Sequence, residues 1–345
     1  MAEPTISDVA KLAGVAISTV SRVFNDGPVR QSTRLAVLEA AASLGYRGNA
    51  SARSLAMGRK QAVGIVVRDL TNYYTVEILA AITDVLQRAD YRIMLADVNG
   101  NQRSSAEIIG NCAQASDGLI LVSPSLDDID LPAPCSPDTT VLANRTLPGY
   151  AAAITNETAN MQQAIRHLRS LGHRHIVYLA GPQDSWSNNR RQKGFLDACE
   201  RLGARATVLG PFEATHQGGH KAGDALMTLL DSHNEAHHAT AAIAFNDALA
   251  SGALVRLAER GTQVPGDCSI IGVDDSLIAR TSRPQLTSIA TRQRDIGAAA
   301  ARLLLNRLET GHRADRNAPA DRPCLMFAGT LTVRGSTAAA PKPKV

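Results

Sequence analysis

The sequence has few aromatic residues and no long apolar run. Aromatic side chains make up 3 % of the 345 residues, with a single tryptophan, so the hydrophobic interior has to be built mainly from Ala, Val, Leu and Ile. No stretch approaches the roughly 18 apolar residues that cross a bilayer, and no apolar segment follows a basic N-terminus. We therefore expect no membrane span and no signal peptide, and a cytoplasmic protein.

Motifs for catalysis and for metal or cofactor binding are also missing. There is no phosphate-binding Walker loop, no G-x-G-x-x-G after the first predicted strand and no Ser/His/Asp or Cys/His arrangement. The five cysteines are scattered, which is typical of reduced thiols. His233 and His237 are spaced i, i+4 in a polar link, where a solvated surface is the favoured interpretation. We expect no enzyme, no cofactor, no catalytic residue and no metal.

The positive charge is concentrated at the N-terminus. Residues 1–60 contain eight Lys or Arg and four Asp or Glu, a net charge of +4 that equals the formal charge of the whole chain. The remaining residues are balanced, with 28 side chains of each sign. A basic segment ahead of a neutral body suits binding to the phosphate backbone of DNA.

Residues 5–25, TISDVAKLAGVAISTVSRVFN, predict two short helices joined by a tight turn. Gly14 falls where the first helix has to end, because glycine adopts a left-handed cap without steric cost. The second helix, from about Ala16, has Val20 and Val23 on its inner face. This spacing is typical of a helix-turn-helix unit, whose second helix enters the major groove of DNA. An ordinary αα-hairpin is the alternative. The first helix is predicted to bury Ile6, Val9, Ala10, Leu12 and Ala13, and the second to expose Ile17, Ser18, Ser21 and Arg22.

A third helix over 31–44 completes this N-terminal unit. Its predicted inner face is Leu35, Leu38, Ala41 and Ala42, and Gly45 ends it. Residues 46–49 then form a short connector, and residues 50–56 a helix of about two turns, which is marginal alone in water.

The stretch DVAKLAGVAISTVSRVFN resembles the DNA-binding head of the LacI/GalR family of bacterial repressors. The resemblance continues through Val29, Thr33-Arg34, Leu44-Gly45-Tyr46 and Asn49, and covers essentially the rest of the chain. It implies that Leu55 is an apolar wedge that kinks the operator in the minor groove; a plain interdomain contact is the alternative. The DNA-contacting residues that it implies are Thr5, Ile17, Ser18, Thr19, Ser21, Arg22, Asn25, Arg30, Thr33, Tyr46, Asn49, Ala52 and Leu55.

Three residues depart from the family pattern. Ala16 and Arg30 stand where the family commonly has serine, so each helix start loses a side-chain cap worth about 1 kcal/mol. Arg30 also adds a cation close to the phosphates. Gly48 replaces a usual proline, which predicts a connector that is looser before DNA binds.

From residue 61, apolar strands alternate with amphipathic helices. This pattern predicts an α/β fold of two lobes with parallel sheets covered on both faces. Ligands of such sheets bind beyond the carboxyl ends of the strands, which here places them in a cleft between the lobes. By resemblance this is a periplasmic-binding-protein-like domain that closes about a hinge on a small ligand.

Polar residues follow the predicted strands. Carboxylates, amides and an arginine beside an aromatic face suit a polyhydroxylated ligand. Asn144 stands where the family often has aspartate, which leaves the ligand's identity open. Asp247 and Asp275 are favoured as structural neighbours, and helix capping is the alternative for each residue. The predicted effector contacts are Asp69 and Tyr74, which follow the first strand, and those that the family resemblance implies, Asn144, Arg191, Phe212, Asn246 and Asp274.

We divide the chain into four parts. They are a head (1–48), a hinge helix and linker (49–60), an effector-binding and dimerisation domain (61–335) and a disordered tail (336–345). The N-lobe comprises about 61–159 and 290–322, and the C-lobe about 160–289 and 323–335. The tail lacks leucine heptads, so we expect a homodimer that uses helices 77–88 and 248–259.

The sequence thus predicts a DNA-binding transcriptional regulator. The favoured version is a repressor of carbohydrate-utilisation genes that a sugar-like effector releases from a pseudo-palindromic double-stranded operator. The alternatives are a corepressor-dependent regulator and a sugar-binding transport protein, which would need a signal peptide and no DNA-binding head.

Overall fold

The computed structural model of the chain describes residues 4–24, 27–46, 60–98, 102–124, 131–231, 238–310 and 322–341. These residues divide into two units, Met1–Gln61 and Ala62–Val345, which we call the head and the body. None of the described helices is long and apolar enough to cross a membrane.

The head contains the three predicted helices, α1 (Ile6–Ala13), α2 (Ile17–Phe24) and α3 (Gln31–Leu44). Thr5 begins α1 with a capping box, in which its hydroxyl accepts from the Asp8 amide and the Asp8 carboxylate accepts from the Thr5 amide. Gly14 and Gly45 both end helices in the left-handed conformation, with φ of 65°. The predicted ends of α1 and α3 are therefore confirmed.

The buried face of α3 differs from the prediction. The head core is built from Val9, Ala10, Val20, Val23, Val37, Ala40 and Ala41. Leu35 and Leu38 are 55 % and 44 % exposed, Leu12 is 57 % exposed and Ala42 is exposed. Apolar residues occur on several sides of α3, so helical spacing alone allowed two stripes, and packing against α1 and α2 selected the one that contains Val37 and Ala40.

Several predicted elements lie outside the described residues. Asn25 and the connector and hinge over residues 47–59 belong to this group, and with them Gly48, Asn49, Ala52 and Leu55. The predictions for these residues stay as they are.

The body begins with a first lobe built around strands β1 to β5 and continues with a second lobe built around β6 to β10. The chain then returns to both lobes. The elements in chain order are β1 (Ala62–Val67), α4 (Tyr73–Arg88), β2 (Arg92–Asp97), α5 (Gln102–Ala115), β3 (Gly118–Val122), β4 (Thr140–Ala143), β5 (Ala151–Thr155), α6 (Glu157–Ser170), β6 (His175–Leu179), α7 (Trp186–Arg201), β7 (Arg205–Leu209), α8 (His216–Leu230), β8 (Ala241–Ala244), α9 (Asp247–Glu259), β9 (Ser269–Val273), α10 (Leu277–Thr281), β10 (Thr287–Ala290), α11 (Gln293–Thr310), β11 (Cys324–Phe327) and β12 (Thr330–Thr332).

Each lobe has one six-stranded sheet. The orders are β11-β5-β4-β3-β1-β2 and β12-β10-β9-β8-β6-β7, parallel throughout except where β12 runs antiparallel to β10. The central strands are buried along their whole length because helices cover both faces, which is why they read as unbroken apolar runs such as AVGIVV in β1. The predicted α/β class is confirmed.

The chain crosses between the lobes three times, after β5, after β10 and after β11. Strand β11 pairs with β5 in the first sheet, whereas the prediction assigned 323–335 wholly to the second lobe. Strands β11 and β12 belong to different sheets, because the break at Ala328-Gly329 lets the chain change sheets. Strand β5 and the short helix α10 were not predicted.

The described part of the tail is ordered, which corrects the prediction of disorder for residues 336–341. The Ser336 side chain is fully buried; its hydroxyl accepts from the Thr287 amide at 2.8 Å and donates to the Ile270 carbonyl at 2.5 Å. The buried His173 ring bonds the Ala338 carbonyl at 3.0 Å. Composition indicated disorder, but these contacts hold the segment against the second lobe. Residues 342–345 lie outside the described part.

Candidate functional site

The first candidate site is the outer face of α2. Val20 and Val23 are buried, whereas Ile17 is 50 % exposed and Ser18 and Arg22 are exposed. This separation leaves a small, polar and basic surface on a short second helix. Such a surface can enter a major groove, where side chains from the start of the helix meet the base edges.

Neighbouring groups hold α2 in place. Arg34 of α3 donates to the carbonyls of Val23 and Gly27, at 3.3 and 3.1 Å. The rings of Phe24 and Tyr46 meet edge to face at 5.5 Å. Of the predicted DNA contacts, Thr5 also caps α1 and Tyr46 also supports α2. Arg30 is exposed and makes no side-chain cap for α3, as predicted.

The second candidate site is the cleft between the two lobes of the body. Residues at the carboxyl ends of the strands have left-handed backbones that non-glycine residues rarely adopt. The φ angles are 49° at Ser123, 58° at Asn144, 109° at Asp274, 50° at Asp275 and 57° at Arg292. Such conformations concentrate where a binding site constrains the chain. These positions lie at the carboxyl-end edges of the two sheets, where the sequence analysis placed the ligand.

A buried ion pair lies beyond the carboxyl ends of strands β5 and β8. Arg191 on α7 donates Nε to one Glu157 carboxylate oxygen at 3.0 Å and Nη2 to the other at 2.6 Å, and its Nη1 donates to the Phe245 carbonyl. Burial disfavours the charge, yet pairing with Glu157 keeps the pKa of Arg191 above its ordinary value. Glu157 was not predicted, because the strand that precedes it, β5, was missed.

Asp274 contributes a carboxylate whose pKa is raised well above its ordinary value. Burial is the main cause, and the positive charge of Arg191 opposes it. Its backbone carbonyl accepts from Gln293 on α11 at 2.6 Å, so that the start of α11 is tied to the end of β9. Arg191 and Glu157 therefore form a buried charged pair, and the charge of Arg191 acts on the buried carboxyl of Asp274.

Asn144 links the two lobes. Its Nδ2 donates to Ser123 of the first lobe and to Ser187 of the second, both at 3.0 Å. Its Oδ1 is buried and has no hydrogen-bond partner, which is costly unless a ligand or water supplies a donor. Arg68 and Asp184 form a further bridge at 2.8 Å, and Trp186 packs on the hydrophobic core of the first lobe.

The remaining predicted effector residues already make hydrogen bonds or packing contacts within the protein. The Tyr74 hydroxyl pairs with Thr155 at 3.1 Å, and Asp69 accepts from the amide and hydroxyl of Thr71. Asn246 caps α9 through the Leu249 amide, and its Nδ2 donates to the Ala214 carbonyl. Phe212 is partly buried against the core of the second lobe. Contact of these four with an effector stays a prediction.

Asp247 has the structural role that the sequence analysis favoured. It is buried and accepts from the amide and hydroxyl of Ser276 and from the hydroxyl of Ser288, at 2.6 to 2.9 Å. Burial raises its pKa to about 6, and these hydrogen bonds limit the rise. Asp275 bonds Arg334 at 2.5 Å and Arg280 at 3.3 Å, which likewise ties it to its own lobe.

Among the residues that the structure describes, no three His, Cys, Asp or Glu side chains lie together as metal ligands. None of the five cysteines, all of which fall in described residues, is paired in a disulfide.

The chain matches the model of the lacI family of bacterial regulatory proteins over residues 5–49, and a periplasmic binding protein-like domain over residues 165–337. It is 34 % identical over 294 residues to the transcriptional regulator GalS of Salmonella typhimurium, with 83 % of this chain and 84 % of GalS covered. It is 32 % identical over 311 residues to catabolite control protein A of Priestia megaterium, with 87 % of this chain and 91 % of that protein covered.

Solved structures agree with these matches. The lac repressor dimer bound to operator and the anti-inducer ONPF superposes with a TM-score of 0.85 at 27 % identity, over 98 % of this chain and all of that one. The structure of the regulator CelR in complex with cellobiose superposes with a TM-score of 0.67 at 28 % identity, over 96 % of this chain and 99 % of CelR. The chain belongs to the lacI family. It is a DNA-binding transcriptional regulator, and its relatives are regulators rather than enzymes.

Proposed function

We propose that this regulator represses carbohydrate-utilisation genes and that a sugar-like effector releases it from its operator. The observation that carries the proposal is that Asn144, which bridges Ser123 of the first lobe and Ser187 of the second, keeps a buried amide oxygen without a partner. Arg191 of the buried Arg191–Glu157 pair lies one turn further along α7 from Ser187. Amide, guanidinium and carboxylate groups together suit the hydroxyls of a sugar. The cellobiose complex of CelR and the anti-inducer in the lac repressor structure are consistent with this.

In this mechanism a homodimer reads a pseudo-palindromic operator. Ile17, Ser18 and Arg22 enter the major groove of each half-site, and Leu55 enters the minor groove. The interface uses α4 and α9, where Tyr73, Val76 and Val255 are exposed. Effector binding changes the closure of the lobes and thereby the spacing of the hinges, and the coupling is reciprocal: the effector weakens DNA binding as much as DNA weakens effector binding. The protein is cytoplasmic and has no enzymatic activity.

Arginine variants test the DNA part of the proposal. Arg22→Ala should lower discrimination at one base pair in each half-site by about 1–3 kcal/mol, because a base contact is lost. Arg30→Ala should weaken operator and random DNA equally, because it removes only a phosphate contact. Gel shifts on both DNAs measure the difference, and equal losses for the two variants would contradict the assignment.

Genomic footprinting followed by gel shifts with a panel of sugars tests the effector part. A palindromic site that one sugar releases supports the proposal. A site that a ligand tightens would instead make the protein a corepressor-dependent regulator, which is the second version of this function. If no specific site is found, the sugar-binding transport alternative has to be considered again.

A further inference from the structure

A pair of histidines on α8 lies outside the cleft and has no part in the function proposed above. His216 and His220 are one helical turn apart, at i and i+4, and face the same side of the helix. Their Nε2 atoms are 3.4 Å apart, and their rings meet at 5.2 Å with an angle of 67° between the planes. In the single chain His216 is exposed and His220 is partly exposed.

A hydrogen bond to α9 orients the ring of His216. Nδ1 of His216 lies 2.8 Å from Oγ of Ser251. The Ser251 hydroxyl is in position to donate to the Ala248 carbonyl at 3.1 Å, and in that arrangement its oxygen accepts from Nδ1–H of His216. In the corresponding tautomer of the neutral ring, Nε2 of His216 is unprotonated and lies next to Nε2 of His220. Metal-binding histidines are oriented in this way, with the second nitrogen donating to a neighbouring group.

The contact between α8 and α9 makes this arrangement rigid. A Cβ atom built on Gly219 would lie 2.7 Å from the Gly252 Cα atom, and one built on Gly252 would overlap the His216 carbonyl. The two helices thus touch backbone to backbone. Larger residues would separate them and move Ser251 away from His216.

We propose that His216 and His220 bind a divalent transition-metal ion of the class that favours imidazole, such as Ni²⁺, Cu²⁺ or Zn²⁺. With metal–nitrogen bonds of about 2.0–2.1 Å, nitrogens 3.4 Å apart subtend an angle of about 110° at the ion, close to the tetrahedral value. Binding requires His220 to present its Nε2 lone pair and to carry its proton on Nδ1. Asp224, one turn further along, is already engaged by Arg256 at 2.8 Å, so water completes the coordination.

Calorimetric titration of the full-length, tag-free protein with Ni²⁺ tests the site. We expect one strong ion per chain, with affinity lowered at least tenfold in His216→Gln and in His220→Gln. Ser251→Ala should also bind Ni²⁺ about tenfold more weakly, because the orienting hydrogen bond is lost. Electron paramagnetic resonance of the Cu²⁺-loaded protein should report two nitrogen ligands in the wild type.

His233 and His237 give a matched control, since they have the same i, i+4 spacing in the sequence. The double variant His233→Gln/His237→Gln should bind Ni²⁺ as the wild type does. If this variant loses the ion, or if His216→Gln and His220→Gln keep wild-type affinity, the proposal is wrong. Unchanged Trp186 fluorescence establishes that each variant is folded, so that a lost titration reports the site itself.

Discussion

Replacing Glu157 by glutamine should destabilise the body more than any other single isosteric change in the cleft. The side chains of Glu157 and Arg191 are 2 % and 4 % exposed, and two hydrogen bonds join them. The variant removes the one carboxylate that is hydrogen-bonded to the buried guanidinium among the described residues, which costs about 3–5 kcal/mol in comparable buried pairs. The Phe245 carbonyl cannot compensate, because it offers a dipole and not a full charge.

Urea unfolding followed by fluorescence gives the free energy of unfolding of the body, because its one tryptophan, Trp186, packs at the junction of the two lobes. Glu200→Gln is the matched control: it makes the same chemical change at an exposed position of α7 and should change stability by less than about 0.5 kcal/mol.

A second variant separates the charge effect from a packing effect. Adding Arg191→Met to Glu157→Gln removes the stranded cation, and the double variant should recover at least half of the lost stability. A loss below about 1 kcal/mol for Glu157→Gln, or a double variant less stable than the single one, would refute this account of the pair.

Three further outcomes follow from the structure. Thr5→Ala should lower the stability of the head by about 1 kcal/mol in thermal unfolding, since the capping box is lost. Ser336→Ala should lower the stability of the body by about 1–3 kcal/mol in urea, because the Thr287 amide and Ile270 carbonyl lose their buried partner. Because the pKa of the buried Asp247 carboxyl is raised to about 6, the protonated form stabilises the folded body. Its contribution to the free energy of unfolding is complete below pH ~4 and is lost as the pH rises through about 6, a total of about 3 kcal/mol. Asp247→Asn should remove this pH dependence from the urea midpoints measured across that range. If the midpoint of the variant changes with pH as steeply as that of the wild type, the assignment to Asp247 is wrong.

Local sequence determined much of this protein. The head helices end at Gly14 and Gly45 because only a residue that tolerates positive φ continues the chain there. The strands could be predicted as short apolar runs because both faces of each sheet are covered. Polar residues after these runs marked the edge where the cleft lies, since parallel strands end on one side. All of these signals act over a few residues.

Tertiary structure alone decided the rest. The partner of Arg191 is 34 residues away in the chain, and periodicity carries no information on such a pairing. The spacing in α3 allowed either Leu35 and Leu38 or Val37 and Ala40 to face inward, and the neighbouring helices made the choice. The tail has a composition typical of disorder, yet Ser336 and Ala338 satisfy buried polar groups of the second lobe. Likewise, His216 meets Ser251 only because two glycines let α8 and α9 touch, a contact between segments that the sequence leaves far apart.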